Sequence, residues 1–282
     1  MASASPHGSL PQRGPHRVVE SPALAALLEA STTTAATPAS PRMVLLDVRS
    51  LRGTYEAGHL PGAHHLDPTV STWTSPDPDP TTIQATLRAL GADDDTLVVT
   101  YGGHKGIEAG RLAWLLQWAG HRSTALLDGG YEAWWRLGLP TSTEEVPPAR
   151  PGDVTLSPRE VLTCSTQELA SFAAHRQAVD VRTRSRFGAK GPSGVSDQRV
   201  PGAVNVPSTA FGDQAGRVLD PASMRLRLRR SGVDPEQPFA VYCDDASASA
   251  WVAYVARNNS LDARLYLPGW AGWQRAAVTT PV

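Results

Sequence analysis

The sequence predicts an α/β fold built from one domain that occurs twice, each copy a parallel β-sheet with helices on both faces. Short runs of aliphatic and β-branched residues alternate with segments of helical periodicity, which favours parallel strands joined by helices. Several motifs recur in the same order at an offset near 133–141 residues. A length of 282 residues also suits two domains, at roughly 100–200 residues each.

The repeated motifs define the duplication. A period this long indicates two copies of a domain rather than a solenoid of short repeats. The pairs are Asp-Val-Arg at 47–49 and 180–182, Pro-Gly-Ala at 61–63 and 201–203, an apolar run at 97–101 and 239–242, and a glycine-aromatic segment at 129–134 and 268–273.

Composition along the chain predicts the domain boundaries. We expect a disordered tail at 1–17, an N-terminal domain at 18–140, a linker rich in proline at 141–157 and a C-terminal domain at 158–282. The tail contains prolines and no apolar core, which argues against a secretory signal.

Local patterns predict the individual elements. Asp79 followed by proline favours a helix start, with the end of that helix at Gly91, and Ser165 with Glu168 forms a capping box. Further helices are expected at 107–119, which has a strongly amphipathic pattern, and at 247–258. Short buried strands are expected at 43–46, 97–100, 125–127 and 239–242.

Charge and hydropathy exclude several kinds of partner. The net charge is −1, so no overall field attracts nucleic acid or an anionic membrane. The basic run at 224–230 indicates a solvated helix face, because it lacks interleaved aromatic residues that stack on bases. No apolar run approaches the length of a membrane span. We therefore expect neither nucleic acid nor membrane as a partner, and we expect a monomer.

Cysteine usage favours a reducing compartment. The two cysteines, Cys164 and Cys243, form no CxxC pair, so neither a disulfide framework nor a structural zinc site is expected. This pattern favours a cytoplasmic protein that holds no metal.

Cys243 is the residue best placed for chemistry. It directly follows the strand predicted at 239–242 and precedes the helix predicted from Ser247, and ligands gather at such carboxyl ends of parallel strands. Loop amides and a helix N-terminus can lower the pKa of a thiol and bind an anion. The alternative is a small core cysteine with no chemical role.

Taken together, the motifs resemble the tandem-domain rhodanese family of thiosulfate and 3-mercaptopyruvate sulfurtransferases. The resemblance runs from about Val18 to Val282 and rests on the two Asp-Val-Arg motifs, the two Pro-Gly-Ala motifs and the segment Leu-Asp-Gly-Gly at 127–130. In that family only the second domain carries the reactive cysteine. The counterpart of Cys243 in the first copy is Gly102, which cannot act as a nucleophile.

The resemblance implies a double-displacement mechanism without any cofactor. Cys243 would take sulfur from a small anionic donor, become a persulfide and pass the sulfur to cyanide or a thiol. Arg186 occupies the position at which the family holds the donor anion, and a guanidinium fork suits a sulfonate or carboxylate. The remaining substrate-binding positions implied are the loop residues Asp244, Asp245, Ala246, Ser247 and Ala248.

The loop departs from the family pattern. Active members usually have glycine at the position of Ala246 and lack the two carboxylates Asp244 and Asp245. These carboxylates would raise the thiol pKa and repel an anionic donor, and the lost glycine would restrict the loop backbone. Weak turnover of thiosulfate is one expected consequence.

Further residues are candidates with alternative roles. Lys190 and Arg199 would restore positive charge near the acidic loop, Ser247 could hydrogen-bond the thiolate or substrate, and Ser249 is a further possible site residue. The alternative role for Ser247 is a helix N-cap. His59 would either face the site from the first domain or have a structural role.

Two other functions compete with sulfur transfer. The acidic loop favours a catalytically weakened protein that binds or regulates. A cysteine-dependent phosphatase would need an arginine six residues after the cysteine, where this chain has Ser249, so the phosphoryl transition state would lack its main clamp.

Overall fold

The computed structural model describes residues 17–33, 43–103, 105–146, 150–189 and 198–279 of the chain. Residues 1–16 of the expected tail and the candidate Lys190 lie outside these ranges. Within them the chain forms two parallel sheets, each flanked by helices, which confirms the predicted fold class.

The first sheet has the strand order β1-β5-β4-β2-β3, and every pairing in it is parallel. Its strands are β1 (Arg17–Val19), β2 (Met43–Asp47), β3 (Ala63–His65), β4 (Leu97–Tyr101) and β5 (Thr124–Leu127). The helices of this half are α1 (Ser21–Thr33), α2 (Arg52–Glu56), α3 (Ser71–Thr74), α4 (Pro80–Ala89), α5 (Ile107–Trp118) and α6 (Gly130–Arg136).

The second sheet repeats this plan with the order β7-β6-β8-β9. Its strands are β6 (Ala178–Asp180), β7 (Val204–Asn205), β8 (Phe239–Tyr242) and β9 (Ala263–Leu265). The helices are α7 (Thr166–Ala174), α8 (Arg184–Phe187), α9 (Pro221–Arg230), α10 (Ser247–Asn258) and α11 (Gly269–Thr279), with 3₁₀ turns at Glu160–Leu162 and Ser208–Phe211.

Local capping chemistry explains where several helices begin. The Asp79 carboxylate accepts from the amides of Thr81 and Thr82 at the start of α4, as predicted. Ser165 and Glu168 form the predicted capping box at the start of α7, in which each side chain accepts from the backbone amide of the other residue. The basic run forms α9, which buries Met224 and Leu228, as expected for a helix with one solvated face.

Helix α5 differs from its predicted amphipathic character. Every residue from 109 to 118 is buried, because the helix lies between its own sheet and α10 of the other half. A helix enclosed on all sides has no solvated face to keep polar.

The two halves share a continuous apolar core. The indole of Trp251 on α10 packs against Gly110 on α5, and the Tyr254 hydroxyl donates to the carbonyls of Arg17 and Thr124. Side chains from both sheets belong to one buried cluster. The contact between the halves therefore fixes how α5 faces the loop that carries Cys243. No helix in the described part of the chain is long and apolar enough to cross a membrane.

Candidate active site

Cys243 lies at the carboxyl end of β8, one turn before the start of α10. Its neighbours in the sheet are the ends of β6 and β9, which pair with β8 on either side. The residue is only 3% exposed. The thiol therefore sits below the surface of the loop at the edge of the sheet where ligands of parallel α/β sheets bind.

Two side chains contact the sulfur with opposite electrostatic effects. The Ser249 hydroxyl donates to Cys243 Sγ at 3.2 Å, while the thiol points toward Asp245 Oδ1 at 3.6 Å. Burial raises the pKa of the Cys243 thiol, the hydrogen bond from Ser249 lowers it and the charge of Asp245 raises it. A thiolate at this position needs donors and positive charge to offset burial.

Asp244 occupies the cationic part of the site. Its Oδ1 lies 3.3 Å from Arg182 Nη1, and its Oδ2 lies 3.5 Å from Arg186 Nε. Arg186 is 68% exposed, so this pair is screened and weak. The carboxylate therefore lies next to both guanidinium groups and offsets part of their positive charge.

The Asp245 carboxylate accepts a hydrogen bond from the first amide of α10. Its Oδ1 accepts from the Ser247 amide at 3.0 Å, and Ala246 is the N-cap residue. The expectation that Ser247 is the N-cap is therefore wrong. The Asp245 carboxylate, one residue before the N-cap, satisfies the exposed amide at the helix start. The Ser247 hydroxyl is therefore free for another contact.

Ala246 has the left-handed backbone that the family's glycine would adopt without cost. Its φ is 64°, and the corresponding N-cap of α5 in the first copy is Gly106 with a φ of 59°. An alanine in this region is strained because its Cβ crowds the backbone. The loop keeps this shape despite the substitution.

The floor of the loop is the start of α11. The Trp270 amide donates to the Cys243 carbonyl at 2.8 Å, and a Cβ on Gly269 would lie 2.4 Å from the Asp244 carbonyl oxygen. The first copy has the same arrangement, with the Tyr131 amide donating to the carbonyl of Gly102. The duplicated glycine-aromatic segments thus support both loops from below.

The two Asp-Val-Arg motifs brace the ends of β2 and β6. Arg49 Nη2 lies 2.6 Å from Asp47 Oδ2, and the Arg182–Asp180 pair has the same distance. Only the second copy connects to a functional loop, because Arg182 Nη1 also reaches Asp244. A structural pair thereby becomes part of the candidate site.

The remaining candidates contact groups other than the sulfur. His59 is fully buried and stacks on Tyr55, and both of its ring nitrogens contact backbone carbonyls of the first half, those of Tyr55 and Glu144. The guanidinium of Arg199 lies 4.7 Å above the ring of Phe187. Ala248 is half-buried and packs against the apolar core from the first turn of α10.

Arg111 is a site residue that the sequence interpretation missed. It lies on α5 of the cysteine-free half, and its Nη1 donates to the Asp245 carbonyl at 2.7 Å and to Ser247 Oγ at 3.3 Å. The sequence contains one hint of this role. Arg111 is the only basic residue in the otherwise largely apolar segment 107–118, where burial of a charge needs a reason.

Comparison with known proteins places these features in a family. The profile of the Rhodanese-like domain matches residues 31–137 and 165–276. The 3-mercaptopyruvate sulfurtransferase of Rattus norvegicus is 30% identical, over 81% of this chain and 81% of its own length. The thiosulfate sulfurtransferase of the same organism is 28% identical, over 81% of this chain and 82% of its own length.

Solved structures give the same architecture. SseA from Escherichia coli, a 3-mercaptopyruvate sulfotransferase with the rhodanese fold, superposes with a TM-score of 0.74 and 22% identity. The superposition covers 91% of this chain and 99% of SseA. At this identity the similarity concerns the fold.

Proposed function

Because this chain belongs to the rhodanese-like family, we propose that it is a sulfurtransferase that carries sulfane sulfur on Cys243. The observation that carries the proposal is the Cys243 thiol at the end of β8, which accepts a hydrogen bond from Ser249 beside a group of arginines. The first copy has Gly102 at the same position and so offers no second nucleophile.

The first half-reaction transfers sulfur from the donor to the enzyme. The Cys243 thiolate attacks the outer sulfur of thiosulfate, the S–S bond breaks and its electron pair leaves with sulfite. With 3-mercaptopyruvate the C–S bond breaks instead, and the enolate that leaves takes up a proton to give pyruvate. Either donor leaves a persulfide on Cys243.

The second half-reaction returns the thiolate. Cyanide attacks the terminal sulfur of the persulfide, the S–S bond breaks toward Cys243 and thiocyanate leaves. A thiol acceptor attacks in the same way and leaves as its own persulfide. The sulfur is carried covalently throughout, so the mechanism needs no cofactor.

The proposed roles follow the contacts. Arg186 binds the donor anion by displacing Asp244, which lies 3.5 Å from its Nε. The loop residues from Asp244 to Ala248, which are half-buried or exposed except for the buried Ala246, surround the donor. Arg199 adds positive charge to the site, and the candidate Lys190 lies outside the described residues. We also propose that the protein acts as a monomer in the cytoplasm.

A second candidate is a rhodanese-type protein that binds or regulates without turnover. The observation that favours it is that Asp244 and Asp245 already occupy the arginines and the helix amide that would bind an anion. Such a protein would keep the fold and lose donor turnover.

Intact-mass measurement separates the two candidates. The protein is incubated with thiosulfate or 3-mercaptopyruvate over a range of pH, and then with cyanide. A sulfurtransferase gains one sulfur atom, loses it to cyanide and shows neither change in Cys243→Ser. No adduct with either donor at any pH would reject the enzyme and favour the binding protein.

A further inference from the structure

Arg111 is a buried cation that reaches from the first half into the loop of the second. It is 5% exposed. Its guanidinium donates to the carbonyls of Trp73, Ser75 and Asp245 and to the hydroxyl of Ser247. One of these acceptors, the Asp245 carbonyl, belongs to the loop between Cys243 and α10, and another, the Ser247 hydroxyl, belongs to the first residue of α10, so the arginine joins this segment to the cysteine-free domain.

The charge of Arg111 has no carboxylate partner among the described residues. Carbonyl and hydroxyl oxygens satisfy its donors, whereas no Asp or Glu oxygen of the described ranges lies within 4.0 Å of it. Burial lowers the pKa of its guanidinium, and the charges of Asp245 and Cys243 oppose that shift. An arginine keeps its proton even so, and an uncompensated buried charge is costly. A nearby anion would offset this cost.

Two anionic groups act on Arg111 through their charges, first the Asp245 carboxylate and then the Cys243 thiolate. Asp244 is satisfied by Arg182 and Arg186, and the Asp245 carboxylate is satisfied by the Ser247 amide. The charged groups around Cys243 are Asp244 and Asp245 in its loop, Glu108 and Arg111 on α5, Arg182 and Arg186 after β6, and Asp180 below Arg182. Of the three arginines in this group, Arg111 alone has no carboxylate of its own.

We propose that Arg111 is a positioning residue for Cys243. It holds the loop through the Asp245 carbonyl and the Ser247 hydroxyl, and its charge favours the thiolate over the thiol. The cysteine-free half thereby contributes to the reactivity of the other half. The inference rests on the proposed function only in taking Cys243 as the reactive group.

Alkylation of the full-length protein tests this without requiring sulfur transfer. The rate at which iodoacetamide modifies Cys243 is followed by peptide mass spectrometry from pH 6 to pH 10 in the wild type, Arg111→Gln and Arg111→Lys. Cys164 provides an internal reference, because burial raises the pKa of its thiol to about 12. We expect Cys243 of Arg111→Gln to react about tenfold more slowly at pH 7. The midpoint of the rise in alkylation rate with pH should lie at higher pH than in the wild type.

The charge-conserving variant separates electrostatics from packing. Arg111→Lys should keep the wild-type midpoint even if its loop contacts weaken. Arg88→Met, which removes a half-buried arginine that donates to the Val154 carbonyl in the linker, should leave the midpoint unchanged. Arg111→Met is a second neutral variant in case Arg111→Gln does not fold, as judged by circular dichroism.

An unchanged midpoint in a folded neutral variant would overturn the proposal, as would equal shifts in the neutral and lysine variants. Neither result depends on turnover of a sulfur donor. A protein that fails to form a persulfide but shows the shift would reject the proposed sulfurtransferase and retain the role of Arg111.

Discussion

Gly110 of α5 lies directly against the indole of Trp251 of α10, and a Cβ on Gly110 would lie 2.1 Å from Trp251 Cδ1. No side chain fits this space unless the two helices move apart. The next residue on α5 is Arg111, so the close approach of the helices also sets the reach of its guanidinium.

Gly110→Ala should therefore destabilise the protein. Overpacking of a well-packed contact costs about 1–3 kcal/mol, and urea unfolding measures the loss. Gly53→Ala is the matched control, because its Cβ meets nothing within 4 Å. An alanine at Gly110 that leaves the unfolding midpoint unchanged would show that the helices separate without cost.

Ser249→Ala should slow persulfide formation at neutral pH. The hydroxyl donates to Cys243 Sγ at 3.2 Å and lowers the thiol pKa, so its loss favours the protonated form. The reactive form is the thiolate, so the rate rises as pH passes through the thiol pKa, and the variant moves that rise to higher pH. A hydrogen bond to a charged group predicts a reduction of about tenfold at pH 7.

Stopped-flow measurement of sulfite release against pH checks this effect. Ser171→Ala, which removes an exposed hydroxyl on α7, serves as the control. A Ser249→Ala profile that superposes on that of the wild type would mean that the hydroxyl does not stabilise the thiolate.

Asp244→Asn should change the preference between donors. The carboxylate lies beside Arg182 and Arg186, and its removal frees Arg182 Nη1 and the Arg186 guanidinium for a donor anion. Thiosulfate carries two negative charges and 3-mercaptopyruvate one, so kcat/KM should rise more for thiosulfate. The exposure of the pair limits the expected gain to about tenfold for thiosulfate.

Asp262→Asn is the control for this prediction. Asp262 also lies between two arginines, Arg257 and Arg264, and its side chain is 44% exposed against 40% for Asp244. It lies before β9, outside the loop. Equal gains for the two donors, or the same gain in Asp262→Asn, would argue against selection by donor charge.

Ala246→Gly should stabilise the native protein slightly. Ala246 has a φ of 64°, and glycine adopts this conformation without the clash of a Cβ. The relief is about 1 kcal/mol, reduced by the greater entropy of glycine in the unfolded chain. Ala253→Gly, at a buried position within α10, should have the opposite sign. Thermal unfolding of both variants measures the difference, and a loss of stability in Ala246→Gly would contradict the prediction.

Local chemistry explains which parts of the fold were predictable. Asp79 and the Ser165–Glu168 pair cap their helices through residues three positions away or fewer, so the signal lies within one short segment. The parallel sheets followed from strands that alternate with helices. The character of α5 did not follow, because it depends on α10, which lies more than a hundred residues later.

Positions in the site that follow from the end of a strand were predictable from the sequence. Positions that follow from contact between the two halves were not. The sequence placed Cys243 after β8, but the choice between Ser247 and Ser249 depends on where α10 begins. That start is set by the Asp245 carboxylate on the Ser247 amide, which directs Ser249 toward the sulfur. Arg111 joins residues 134 positions apart, a distance at which local patterns carry no signal.

The contact between α5 and α10 makes the duplicated chain an asymmetric pair. Arg111 and Trp251 are each the fifth residue of their helix, and each extends toward the loop that precedes the other helix. One copy carries Cys243, and the other places a guanidinium against the loop that follows it. The second half expressed alone would retain Cys243 but expose the place of the guanidinium to solvent. A cysteine installed at Gly102 would lie against Val48 and Ala109, and α10 has Trp251 at the helix position where α5 has Arg111, so symmetry of the fold would not give a second reactive thiol.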